Sequence, residues 1–191
     1  MHANVEHFEA YYCEGVSLAE KELIVSGRRL NEPAETVLAR LQRAVHCFEQ
    51  AVVLDPCSWA SMWLLGKVHQ RLRDHEESLH WFARAFAVRP DHADVAREAS
   101  LEAMALGHGA DGVRYAEAGW RANPEDMGLL ANLGLAHLLG GDLDLALKHA
   151  ETAVHGAPAD RVSRALLATV TAVTQGRRPR PSKLGDLARY P

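Results

Sequence analysis

Residues 127–160 read MGLLANLGLAHLLGGDLDLALKHAETAVHGAPAD, and this stretch decides the fold. It closes on Ala157-Pro158-Ala159-Asp160, and upstream Pro124, Pro90 and Pro56 recur at intervals of 34 residues. A fixed period of this length marks a repeat protein. Proline lacks an N–H and clashes with the carbonyl one turn back, so each of the four prolines marks the same end of the same helix. In register the units are 59–92, 93–126 and 127–160, preceded by a segment that ends in Asp55, Pro56, Cys57 and Ser58. One further break falls inside each unit, at 71–74, 107–109 and 140–142, so each reads helix, turn, helix.

Matched positions across the units carry a second pattern. Residues 59–92 supply Leu65, Gly66, Phe82, Ala85 and Pro90; residues 127–160 supply Leu133, Gly134, Ala146, Ala153 and Pro158, with Gly141-Asp142 at the turn. These residues resemble the tetratricopeptide repeat, with His69 and His137 at its aromatic position and Met62 and Leu130 at its tryptophan position. The resemblance implies an all-α, right-handed α-solenoid of about four helix hairpins and a C-terminal capping helix. The middle unit departs most: its signature positions hold Ala96, Ala99, Ser100, Ala103, Gly112, Ala116 and Gly119. Its two helices are expected to pack unusually close, or to take bulk from Leu101, Met104, Tyr115 and Trp120, and it should be the least stable repeat.

Working outward, Val37, Leu38, Leu41, Ala44, Val45, Phe48, Ala51 and Val52 form the apolar stripe of one helix. Its expected start is near Pro33 with Asn31 as cap. A partner helix over about 4–26 presents Val5, Phe8, Tyr12, Val16, Ala19 and Leu23 on one face. The hairpin 4–58 is thus expected to overhang the array by roughly 13 Å at 1.5 Å per residue. Downstream, 161–175 reads as a capping helix, and 176–191 as a proline-containing tail. That tail holds Arg177, Arg178, Arg180, Lys183 and Arg189 against Asp186, a net +4, which leaves residues 1–175 at −8. Tail and body attract.

The composition narrows the function classes. A hydrophobic share of 48% without an apolar run near 18 residues, and an amino terminus lacking a basic segment before a greasy one, predict a cytoplasmic chain with no anchor or leader. The odd count of three cysteines, Cys13, Cys47 and Cys57, makes free, buried and inert thiols the expectation. Eleven histidines raise a metal hypothesis, but no ligand spacing converges, and the glycine pairs at 107–109 and 140–141 are inter-helix turns rather than a phosphate cradle. The reading is no enzyme, no metal and no cofactor. The acidic body argues against nucleic acid despite the basic tail.

What the architecture supplies is a concave surface. If the family's geometry carries over, positions 2, 5, 6, 9, 12 and 13 of each first helix line it, which gives Trp63, Lys67, Arg71, Arg97, Leu101, Met104, Asn132, Leu135 and Leu139 as candidate peptide-binding residues. The cap helix adds Val162, Ala165, Leu166, Thr169, Ala172 and Val173 to the same surface. The carboxylate clamp of chaperone-binding members is not reproduced, because Lys67 and Asn132 fall in the wrong units. An apolar trough suits an extended or helical peptide with hydrophobic anchors. The resemblance therefore implies an adaptor for another protein. The alternatives are a bacterial chaperone like the repeat-containing class of type III secretion, or an accessory subunit of an enzyme complex. The protein's own tail, its first hairpin or a second copy in a homo-oligomer are further candidate occupants.

Overall fold

The structure is a computed structural model and describes residues 2–23 and 33–188. Ten helices and no strand occur among them. The chain forms two compact units, 1–89 and 90–191. Unit 1 contains α1 (His2–Ala19), α2 (Glu35–Leu54), α3 (Trp59–Arg71) and α4 (His75–Val88); unit 2 contains α5 (Ala93–Leu106), α6 (Gly109–Ala122), α7 (Met127–Gly140), α8 (Leu143–Gly156), α9 (Arg161–Thr174) and the single turn α10 (Leu184–Leu187). No helix among the described residues is long and apolar enough to cross a membrane.

The proline period has a local cause beyond helix termination. The residue two after each proline caps the next helix: Ser58 accepts from the Ser61 N–H, His92 Nδ1 from Val95, Asp126 from Gly128 and Leu129, and Asp160 from Val162 and Ser163. These side chains satisfy N–H groups that the first turn leaves without partners. Inside the hairpins α3–α4, α5–α6 and α7–α8 the turn is equally regular. Gly107 (φ 81°) and Gly141 (φ 97°) adopt left-handed backbone, and the next residue's N–H reaches back to Ala103 O at 2.8 Å and His137 O at 3.0 Å. The equivalent position in unit 1 is Arg73, at φ 62°, in a region that disfavours a side chain.

The crossing of each hairpin is built on a small residue opposite something larger. In unit 1, Gly66 on α3 receives the ring of Phe82 from α4, and Gly15 on α1 receives the ring of Phe48 from α2; both phenylalanines are fully buried. Ser78 Oγ donates to Gly66 O at 3.0 Å. The middle repeat inverts this arrangement. Serine stands at its eighth position and glycine at its twentieth, and Ser100 Oγ donates to Gly112 O at 2.9 Å. Met104 of α5 then fills the space over Gly112. The helices do pack close, with Gly119 against the backbone of α5 at Ala93 O, and Met104 and Tyr115 supply the buried bulk.

Several expectations about the ends are corrected. Helix α1 stops at Ala19, residues 20–23 form a turn, and 24–26 lie outside the described residues, as does Asn31. Helix α2 begins at Glu35, with Ala34 giving no side-chain cap. It has 20 residues where α4, α6 and α8 have 14, so it is longer by about 9 Å rather than 13 Å. Cys13 and Cys57 are exposed, and only Cys47 is buried.

Residues 176–188 of the tail fold back onto unit 2. After Gly176 (φ 68°) the chain turns back, and the Arg180 guanidinium donates to Leu139 O at the end of α7 while lying beside Gly141. Pro181 is buried, Lys183 Cβ lies 3.8 Å from where a Cβ on Gly107 would stand, and Leu184 packs against the core of α7, α8 and α9. Basic side chains thus run past helix C-termini, where exposed carbonyls and the dipole favour positive charge.

Candidate functional site

Unit 2 holds a cleft of about 630 Å³ between α5, α7 and α9. Each helix contributes one stripe: Arg97 and Leu101 from α5, Ala131, Asn132 and Leu135 from α7, and Val162, Ala165, Leu166 and Thr169 from α9. Spacings of three and four place these residues on one helix face. Gly128, Ala131 and Ala165 are small, which opens the cleft, while the leucines of the three stripes give it an apolar lining. It is a ligand-sized space, within the range of roughly 300–1,000 Å³ usual for such sites.

Its polar content is sparse and fixed. Asn132 is buried, and its Nδ2 donates to Ser100 Oγ at 3.2 Å, so the amide is held by the same serine that ties α5 to α6. Thr169 turns its hydroxyl to Ala165 O at 2.9 Å and so presents its methyl group. Three arginines border the cleft: Arg97, Arg161 and Arg178. Arg97 pairs with Asp94 at 2.9 Å and approaches Glu98 at 3.6 Å. Arg161 is exposed, and no ion pair ties it to another described residue. Arg178 donates to Leu187 O at 2.9 Å, a bond that closes the tail into a loop whose two ends both face the cleft. Among the described residues, no acid, imidazole, thiol or serine hydroxyl lines the space.

Of the nine residues singled out in the sequence, Arg97, Leu101, Asn132 and Leu135 meet in this cleft. Met104 and Leu139 are buried in the core instead: Met104 is drawn over Gly112, and Leu139 sits where the docked tail covers the end of α7. Trp63, Lys67 and Arg71 belong to unit 1. Trp63 is half-buried with its indole N–H shielded from water. Lys67 is buried and bonded to Gln70, so it is no rim charge. Arg71 is nearly covered and lies 3.6 Å from Glu22, which also takes Arg40 at 2.6 Å. The turn after α1 is thereby held to α2 and α3, and Arg71 is committed to structure. Three cleft residues escaped the sequence reading: Arg161, Arg178 and Leu187. Arg161 directly precedes the α9 stripe and could have been found from it; the other two come from the tail, outside the repeat register.

A second cluster in unit 2 is not part of the cleft lining. His137 and His149 stack with ring centroids 5.4 Å apart, and Trp120 lies 6.3 Å from His149. Burial, with His137 and Lys148 nearby, pushes the His149 imidazole below its ordinary pKa. No group of three or more potential metal-binding side chains occurs among the described residues.

Comparisons with known proteins are specific about fold. The family model for the tetratricopeptide repeat matches residues 37–95 and 97–161. No curated protein matches the sequence. Among solved structures, YrrB, a TPR protein with an unusual peptide-binding site, is similar at TM-score 0.65 and 17% identity over 75% of this chain and 74% of that one. The MamA protein is similar at TM-score 0.73 and 12% identity, over 97% and 88% of the two chains. PilF of Pseudomonas aeruginosa gives 0.64 and 15% over 92% and 71%. At these identities the likeness is one of fold, and the fold is that of the all-α helix-hairpin solenoids. With matches over most of its length and the prolines, caps and crossing glycines in register, the chain belongs to the tetratricopeptide repeat family.

Proposed function

We propose that this protein is a non-enzymatic, cytoplasmic adaptor that binds a peptide or helix of a partner protein in the cleft of unit 2. One observation carries the reading: α5, α7 and α9 each turn a stripe of small and leucine side chains toward one open space, and among the described residues lining it there is no acid, imidazole or thiol, while the one hydroxyl, of Thr169, is bonded to Ala165 O. A cleft with a leucine lining and one fixed amide recognises apolar side chains on a backbone. The peptide-binding site of YrrB, a protein of the same fold, supports the analogy. Arg97, Leu101, Asn132 and Leu135 are its contact residues. Secretion chaperone and enzyme-complex subunit are narrower forms of the same reading, distinguished by the partner found.

The test is site-directed photocrosslinking from the cleft. A benzoylphenylalanine at Leu135 should capture the partner in cells. The same group at Leu145, an exposed leucine of α8 outside the cleft, should not, and Leu101→Asp should abolish capture from Leu135. Equal capture from Leu135 and Leu145 would overturn the proposal.

A further inference from the structure

The charge of the cleft and the course of the tail together say more about the partner. We infer that the cleft selects an apolar segment flanked by acidic side chains, and that the tail is a fixed wall of the site that supplies part of this selectivity through Arg178. This inference rests on the cleft being the binding surface.

The first observation is charge. The chain as a whole is acidic, at −4, yet every described charged residue lining the cleft is an arginine: Arg97 on α5, Arg161 on α9 and Arg178 on the tail. They come from three separate elements. A guanidinium prefers a planar carboxylate partner held by paired hydrogen bonds. One terminal carboxylate can engage one such fork well, so three forks on three elements fit several carboxylates distributed along a segment. The leucines between them require apolar side chains in the same segment. Arg97 already has Asp94 as partner, and an incoming carboxylate would share it. Arg161 needs no such exchange.

The second observation concerns the tail. It attaches to the body by contacts that avoid the cleft interior: Arg180 to Leu139 O, Leu184 into the core and Pro181 buried. Of the described tail residues, Arg178 and Leu187, joined by their own hydrogen bond, reach the cleft, and a space of about 630 Å³ remains beside them. An occupant would fill that space. The tail therefore borders the site, with the Arg178 side chain at its edge.

The test uses the full chain and three pools of 14-residue, C-terminally amidated fluorescent peptides read by anisotropy. Each pool carries two leucines in a Ser/Ala background, with flanking positions drawn from Asp/Glu, Asn/Gln or Lys/Arg. Amidation removes the terminal carboxylate, so only side chains can supply acid. The acidic pool should bind about tenfold or more tighter than the Asn/Gln pool at low salt, and the advantage should shrink with salt as expected for rim charges. Arg161→Gln and Arg178→Gln should each weaken the acidic pool by about 3-fold or more, and weaken it more than the Asn/Gln pool. Arg161 anchors no other element, so its variant keeps the test valid if Arg178→Gln loosens the tail. Equal binding of the acidic and Asn/Gln pools would overturn this inference and leave the cleft reading standing. Binding by no pool, or binding that survives Leu135→Asp, would overturn the cleft reading itself. Removing residues 177–191 should lower acidic-pool affinity; a rise would show that the tail is a competitor and not a wall.

Discussion

Gly66 and Gly112 are both helical glycines at a hairpin crossing, so the same substitution at each isolates what lies opposite. A Cβ on Gly66 would stand 2.5, 2.6 and 2.9 Å from three atoms of the Phe82 ring. Carbon atoms in contact sit about 3.5–4.0 Å apart, so the ring must retreat by about 1 Å. Phe82 is fully buried and planar, and has no soft torsion that moves one edge alone. Overpacking of this kind costs up to about 3 kcal/mol, while replacing a helical glycine by alanine returns about 1 kcal/mol. Gly66→Ala should therefore destabilise by about 2 kcal/mol, or lower Tm by about 4–8 °C at this chain length. On Gly112 a Cβ would meet one atom, Met104 Cγ at 2.9 Å, with the next neighbours at 3.8 and 3.9 Å. A methionine chain can swing aside. Gly112→Ala should then be close to neutral, the packing cost of about 1 kcal/mol offset by the helix gain. Thermal melts followed by circular dichroism read the difference, and Gly66→Ala should lose most of its cost when Phe82 is already leucine. Equal effects at the two glycines, or no relief from Phe82→Leu, would refute the argument that the rigid ring sets the cost.

Three further outcomes are expected. Arg73→Gly should stabilise the protein by about 1 kcal/mol, because it removes a left-handed side-chain residue at the turn position where Gly107 and Gly141 serve in the other hairpins; a lower Tm would contradict this. Cys13 and Cys57 should alkylate with iodoacetamide in the native protein well before Cys47, which is buried and has its thiol pKa pushed up by that burial; mass-spectrometric labelling at equal rates would oppose it. Because burial holds the folded pKa of His149 below its unfolded value near 6.5, its contribution to stability is complete above that pH and is lost as pH falls below it. A His149→Gln variant should flatten the stability profile over that window, and an unchanged profile would assign the acid sensitivity elsewhere.

Much of this protein is legible in its sequence, and the reason is that its governing constraints are local. A proline that ends a helix and a capping side chain two residues later act within one turn, so the spacing of Pro56, Pro90, Pro124 and Pro158 carries the hairpins directly. The α7 and α9 stripes of the cleft were legible for the same reason. Features that depend on distant partners were not. Gly15 does for Phe48 what Gly66 does for Phe82, but the longer connection after α1 breaks the register, and the eighth position there falls on Glu32. Lys67 and Arg71 lie on the stripe that periodicity exposes, yet Gln70 and Glu22 occupy them. The tail has the composition of a solvated linker, and its docking rests on Arg180 finding a carbonyl 41 residues back.

The inverted serine and glycine of the middle repeat have a consequence for how such chains can be rebuilt. Two antiparallel helices are related by an approximate half-turn, so exchanging the small residue and its hydrogen-bonding partner between them preserves one crossing contact, as Ser78 with Gly66 and Ser100 with Gly112 demonstrate. The information is therefore held by the pair. Grafting α5 in place of α3 would set Ser100 against Ser78, two hydroxyls where one glycine must let the backbones meet; grafting α3 in place of α5 would set Gly66 against Gly112 and leave a gap with no donor. Recombination at the prolines keeps each pair together, whereas recombination at the turns separates it. The exchangeable module of this protein is the hairpin, and a consensus computed column by column would erase the rule that holds the middle one closed.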